Sequence, residues 1–275
     1  MQADASTTQR TANPGYKPSQ TGDKAIALTR EAILTGLREA LEPLEHVYAL
    51  WEGGAAAFNR VDEWSDIDVM VDVEDERAAE AMTLCERTLA ALSPITLKYE
   101  VPQPAWHGHL QTFFQLQDAG PYLVVDLAVI RHSNPKKFLE PEVHGQARVH
   151  FDKTGVVAGA PALNEAALKE QLAARRAALR VTFPLFQPLI LKEVRRGNAI
   201  EAAAFYQGFT LRPLVEALRL RHCPARYNFH TRYAHYDLPA EVVSRLARLF
   251  YPTDLADLER KQAEAEGWFG ELMSG

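Results

Sequence analysis

The sequence predicts an α+β fold: a mixed sheet flanked by helices, followed by an all-helical C-terminal bundle. Three observations carry this. Between residues 46 and 130, short apolar runs with strand alternation are separated by segments of helical spacing. After Gly159-Ala160-Pro161 the apolar period becomes helical and stays so to the C-terminus. The longest apolar runs, such as Tyr122 to Ile130, reach about half the length needed to cross a bilayer, and Asp126 interrupts that one.

The elements follow in order. A helix is expected from Lys24 to Glu42, where Ile26, Leu28, Ile33, Leu34, Leu37 and Leu41 recur near helical spacing and Pro43 follows. His46 to Trp51 reads as a strand ending at Gly53-Gly54, with a short helix starting at Ala55. Asp66 to Val73 alternates, with Ile67, Val69, Val71 and Val73 on one face and Asp66, Asp68, Met70 and Asp72 on the other. Glu74 to Leu92 returns to helical spacing, with acids in the first turn. Ile95–Val101, Leu110–Gln117 and Tyr122–Ile130 read as strands, and Arg148–Phe151 as a short edge strand. Helices are expected over Leu163–Leu179, Phe183–Arg196, Ala199–Arg221, Pro239–Phe250 and Thr253–Phe269, bent or delimited by Pro184, Pro188 and Pro213. The expected division is an arm over 1–23, a sheet domain over 24–160 and a helical domain over 161–275.

Composition excludes some classes. Of 275 residues, 47% are apolar and 24% charged, which rules out disorder over the whole chain. Residues 1–23 are polar, without the apolar core of a signal peptide, and read as a disordered arm. Cys85 and Cys223 fit buried free thiols in a reducing, cytoplasmic compartment. The net charge of −6 argues against long nucleic acid as a partner, and no membrane partner is expected. That charge is divided: 14 basic and 23 acidic residues up to 160, against 16 and 13 beyond it. Arg175–Arg232 alone holds 11 basic and 3 acidic residues. This segment is either a grip for a metal-bound polyphosphate or a solvated helix face. Oligomeric state is not legible.

The stretch with chemistry runs from Trp51 to Val69. Paired glycines allow a tight turn and close backbone approach, and a following helix start offers free N–H groups to phosphate. Asp66 and Asp68, two apart on a strand, point to one side. Such like charges are stabilised by a cation between them, and open carboxylate sites suit Mg²⁺ or Mn²⁺. Asp126 stands inside an apolar run and needs a reason: it is either a third carboxylate of this site or a core acid paired with an arginine.

This pattern resembles the nucleotidyltransferase superfamily, whose core is shared with DNA polymerase beta. The matching residues are Gly53-Gly54, then Asp66-Ile67-Asp68-Val69, then Asp126 on a later strand. Within that superfamily it is similar to bacterial aminoglycoside-type enzymes with a helical C-terminal domain. The motifs span residues 46–130, and the helical half matches in layout alone. The resemblance implies a nucleotidyltransferase-type sheet, a divalent metal on Asp66 and Asp68, and Asp126 as third ligand or as base on the acceptor hydroxyl. It implies a nucleoside triphosphate, ATP or another, held by Gly53, Gly54, Ala55 and the helix start, with Ser65 steadying Asp66. Arg60 either reaches phosphate or pairs with Asp62; Lys192 and Arg212 are candidates for the triphosphate tail. The family commonly carries Ser in the glycine turn, where Gly54 or Ala55 stands here. Arg221–Tyr233, basic and aromatic, either stacks a base or forms a structured loop.

The function expected is transfer of a nucleoside monophosphate to a hydroxyl of a small molecule, aminoglycoside-like among the candidates. The alternatives are a weak or inactive nucleotide-binding regulator of toxin–antitoxin type, or a transferase acting on RNA or protein.

Overall fold

In the computed structural model, which describes residues 28–274, the first helix starts at a cap. The Thr29 hydroxyl accepts from the Ala32 N–H, and α1 runs Arg30–Leu41. Among the described residues the helix begins at Arg30, because an extended Thr29 satisfies a first-turn donor and sets the boundary; residues 24–27 of the expected helix lie outside the described residues. The arm expected over 1–23 lies outside the described residues. The chain continues through β1 (Val47–Glu52), the single turn α2 (Gly54–Ala57), β2 (Ile67–Val73), a 3₁₀ turn (Asp75–Arg77), α3 (Ala78–Leu92), β3 (Ile95–Glu100), β4 (Leu110–Leu116) and β5 (Val124–Arg131). A single-turn helix, α4 (Pro141–His144), then leads into β6 (Arg148–Asp152).

The sheet has six strands in the order β3-β4-β5-β2-β1-β6. It is mixed: β2 and β5 are parallel, while β4 runs antiparallel to both β3 and β5. Ile67, Val69 and Val71 stand in register with Val125, Leu127 and Val129, and all six are buried. Ile33, Leu34, Leu37 and Leu41 of α1 and Ala81, Cys85 and Leu89 of α3 are buried too, and α3 packs on α1, β4 and β5. Strand alternation therefore sends the intervening residues, Asp68, Met70 and Asp126, to the other face. Burial pushes the Cys85 thiol up to about 12, and both cysteines are free.

Contacts divide the chain into two units. One comprises the chain up to Leu50 together with Val61–Asn134; the other comprises Trp51–Arg60 and Pro135–Gly275. In the second, Gly145 meets the 51–60 segment. A Cβ there would stand 2.7 Å from the Ala57 carbonyl oxygen, which accepts instead from the Gln146 N–H. The division at 160/161 follows the change of period and is kept as a proposal.

The helical region holds α5 (Glu165–Arg196), α6 (Ala199–Phe205), a π-helical turn (Tyr206–Leu211), α7 (Arg212–His222), a 3₁₀ turn (Pro224–Arg226), α8 (Ala234–Asp237), α9 (Ala240–Leu249) and α10 (Leu255–Met273). Where two helices were expected before residue 197, α5 is one helix of 32 residues. Pro184 and Pro188 lie inside it on its exposed side. On that side a carbonyl deprived of its donor can turn to water, which allows the helix to continue. The core gathers Leu179, Phe183, Ile190, Tyr206, Leu218 and Trp268, with Phe183 stacked on Phe269 at 3.7 Å.

Pro213 is accommodated differently. In an α-helix its missing N–H would serve the Phe209 carbonyl. The buried Gln187 amide donates to that carbonyl at 3.0 Å and accepts from the Thr210 hydroxyl at 2.7 Å. Gln187→Leu is expected to lower stability by about 1–3 kcal/mol, because two buried polar groups lose their partner. Urea unfolding followed by circular dichroism checks this, and an unchanged midpoint would show that other groups replace Gln187. No described helix is long and apolar enough to cross a membrane.

Candidate active site

Parallel pairing of β2 with β5 places Asp68 directly opposite Asp126. Asp66 lies one residue before β2, and its Oδ1 accepts from the Val124 N–H at 3.3 Å, just as β5 begins. Its main-chain carbonyl accepts from Arg30 Nη1 at 2.6 Å, which ties the strand entry to α1. Asp126 Oδ1 accepts from Gln111 Nε2 of β4 at 2.7 Å. Burial pushes the Asp126 carboxyl up to about 6; the Gln111 hydrogen bond opposes this, and the charges of Asp68 and Asp66 add to it. The charges of Asp68 and Asp66 thus both reach the Asp126 carboxyl.

Ser65 has a different role from the one expected. Its hydroxyl donates to Asp62 Oδ1 at 2.7 Å and accepts from the Asp62 N–H at 2.9 Å, closing the turn before β2 instead of steadying the Asp66 carboxylate. Beside it, the exposed rings of Trp64 and Tyr122 meet edge to face at 5.0 Å.

Among the described residues, no group of three or more His, Cys, Asp or Glu side chains is arranged to hold a metal ion. The three-ligand metal set of Asp66, Asp68 and Asp126 is therefore not preformed. The donor chemistry still fits Mg²⁺, which takes one or two protein carboxylates and leaves its other positions to water and phosphate. A carboxyl raised in part by two negative neighbours is a place where a divalent cation relieves repulsion.

The raised carboxyl has a consequence for stability. Its folded value lies above the ordinary 3.8, so the folded state holds the proton more tightly. The contribution of Asp126 to stability is full below about pH 4 and is lost as pH rises through about 6. With chelator present, Asp126→Asn is expected to exceed the parent at neutral pH by about 1–2 kcal/mol, allowing for partial exposure, and to match it near pH 4. Paired urea titrations at the two pH values measure this. Equal stability at both would mean that Asp126 is not held above its ordinary range.

The remaining expected residues belong to the second unit. Gly53 caps α2, and Gly54 adopts φ +51, a left-handed conformation that favours glycine. Ala55 lies inside α2, whose four residues build almost no macrodipole, so backbone N–H groups are what the turn offers. The Arg60 guanidinium lies 4.9 Å from the Phe58 ring centroid and 4.3 Å from that of Tyr236, with Nη1 buried and without a hydrogen-bond partner. Arg212 donates to His230 Nε2 at 3.2 Å and lines a hollow with Phe209 and Tyr227. Lys192 lines a different recess, with Pro188, Leu191, Arg195 and Arg196. The structure does not gather Lys192 and Arg212 at one place.

No family model matches this chain, and no curated protein matches it. Among solved structures, a crystal structure of an aminoglycoside 6-adenyltransferase from Bacillus subtilis is similar over 90% of this chain and 90% of its own, at 10% identity and a TM-score of 0.36. That likeness is distant and carries no conclusion about activity.

Three residues passed unnoticed in the sequence. Gln111 looks like an ordinary polar position of an alternating strand. Glu52, fully buried at the end of β1, is met by His150 Nε2 at 3.0 Å. Arg219 is fully buried and holds the 223–233 loop, which is the structured-loop alternative for that segment. A charged residue at the end of an apolar strand was the available signal for Glu52.

Proposed function

We propose that this protein is a nucleotidyltransferase that moves a nucleoside monophosphate, AMP from ATP, to a hydroxyl of a small molecule. The observation that carries the reading is the pairing of Asp68 with Asp126 across parallel strands, with Asp126 raised to about 6 in the company of Asp68 and Asp66. Asp66 and Asp68 would hold Mg²⁺ or Mn²⁺, which supplies neutralisation of phosphate charge. Asp126 takes the proton of the acceptor hydroxyl, because its carboxyl value lies near working pH and Gln111 fixes one of its oxygens. The hydroxyl oxygen bonds to the α-phosphorus, the bond from that phosphorus to the oxygen bridging to the β-phosphate breaks, and pyrophosphate leaves. The phosphate role of Gly53, Gly54 and Ala55 rests on the motif resemblance. A cationic, hydroxyl-rich acceptor of aminoglycoside-like kind suits the acidic charge of residues 1–160.

One observation favours a second reading, a nucleotide-binding regulator without turnover: the turn at Gly54-Ala55 has no hydroxyl. Titration calorimetry with ATP and Mg²⁺, joined to pyrophosphate release over an acceptor panel, separates the two. The transferase reading expects binding, its loss in Asp66→Ala/Asp68→Ala, and release with at least one acceptor. Binding without release across the panel would favour the regulator, and no binding would remove both.

A further inference from the structure

The helical unit contains a hollow of about 510 Å³ between α5, the π-helical turn, α7 and the loop that follows it. This volume is in the range of small-molecule sites. Its walls are mainly apolar and aromatic: Leu179 and Phe186 from α5, Phe209 from the π-helical turn, and Tyr227 from the loop. Phe186 and Phe209 lie 5.1 Å apart, tilted by 32°. π-Helical turns inside helices are frequently found at functional sites. The charges of the hollow do not cancel. Both Glu216 oxygens are taken by Arg175, at 2.6 and 2.8 Å, which closes that pair. Arg212 has no carboxylate partner among the described residues, and its contact is the His230 imidazole. Burial, and then the charge of Arg212, hold that imidazole below the usual histidine range, so it faces Arg212 uncharged at neutral pH. One positive charge is therefore left on the lining, beside flat apolar walls.

We propose that this hollow binds a planar aromatic anion, its ring against Phe186, Phe209 and Tyr227 and its carboxylate or phosphate group on Arg212. A guanidinium makes strong, directional bonds to either oxyanion. The site is built within the helical unit alone and stands or falls independently of the transferase reading.

Gly208 supplies the test. It lines the hollow, and a Cβ there would meet nothing within 4 Å, so a large side chain enters empty space. The full chain is titrated calorimetrically with naphthoate, naphthyl phosphate and naphthylmethylammonium. At least one anion is expected to bind, and which one identifies the acid group; the cation of the same shape is expected not to bind. Arg212→Ala is expected to weaken the anion about tenfold or more, and Gly208→Trp to abolish its binding. Circular dichroism confirms folding of each variant, and Arg212→Ala decides alone if Gly208→Trp does not fold. Absence of binding by either anion, equal binding of the cation, or unchanged affinity in folded variants would overturn the proposal.

Discussion

Replacing Arg219 by methionine is expected to destabilise the helical unit by about 3–5 kcal/mol, the range for breaking a buried ion pair from one side. Its guanidinium is fully buried and serves four oxygen acceptors besides the Cys223 sulfur. Nε donates to the His230 carbonyl at 2.6 Å, Nη1 to the Arg226 carbonyl at 3.2 Å and to Asp237 Oδ2 at 2.9 Å, and Nη2 to the Arg232 carbonyl. The loop it clamps is strained: His230 and Tyr233 have φ of +53 and +57, and a non-glycine residue there costs about 1–3 kcal/mol. Methionine fills similar volume but leaves three carbonyls without this donor. Asp237 retains Arg226, whose Nη2 donates at 2.8 Å, so the loss is not that of a fully orphaned carboxylate. Urea unfolding read by far-ultraviolet circular dichroism measures the change. Arg219→Met with Asp237→Leu is expected to lose less than the two single changes together, because each single variant leaves half of the pair behind. A loss below about 1 kcal/mol in Arg219→Met would mean that aromatic packing, not the guanidinium, holds the loop.

The same residue shows where reading a sequence stops. Arg219 lies among Leu214, Leu218, Leu220 and Arg221, and a lone arginine in a helix pattern reads as a surface charge. Burial comes from carbonyls of a loop without periodicity, and nothing local to α7 announces them. The strands were legible for the opposite reason. Alternation in β2 and the isolated Asp126 in β5 are local signals, and parallel pairing then set Asp68 opposite Asp126. The parallel register itself was not legible, since it depends on the connection between β2 and β5. Prolines misled in α5, because their effect depends on whether the freed carbonyl faces water or core. Ser65 was misassigned because a hydroxyl beside Asp66 is also three residues from Asp62, and the turn wins that competition at 2.7 Å.

On the proposed reading, Asp68→Asn is expected to lower pyrophosphate release by about 10²–10³-fold or more, the scale for removing one group that stabilises charge developing in a transition state. The substitution keeps the shape of the side chain and removes a charge from one of two directly paired positions. Its second effect has the opposite sign. The charge of Asp68 is among the causes that raise the Asp126 carboxyl, so its removal lets that carboxyl fall towards the ordinary range. The folded state then holds the Asp126 proton less tightly, and stability at neutral pH rises while stability near pH 4 is unchanged. A variant that is both inactive and more stable is the signature of a site that keeps like charges together for chemistry. Pyrophosphate release and urea titration at the two pH values, on the same preparation, read both effects. Retained turnover in Asp68→Asn would remove Asp68 from the reaction. Lost turnover with lowered stability would assign the residue to folding, because an asparagine that only weakens β2 inactivates the protein without relieving Asp126.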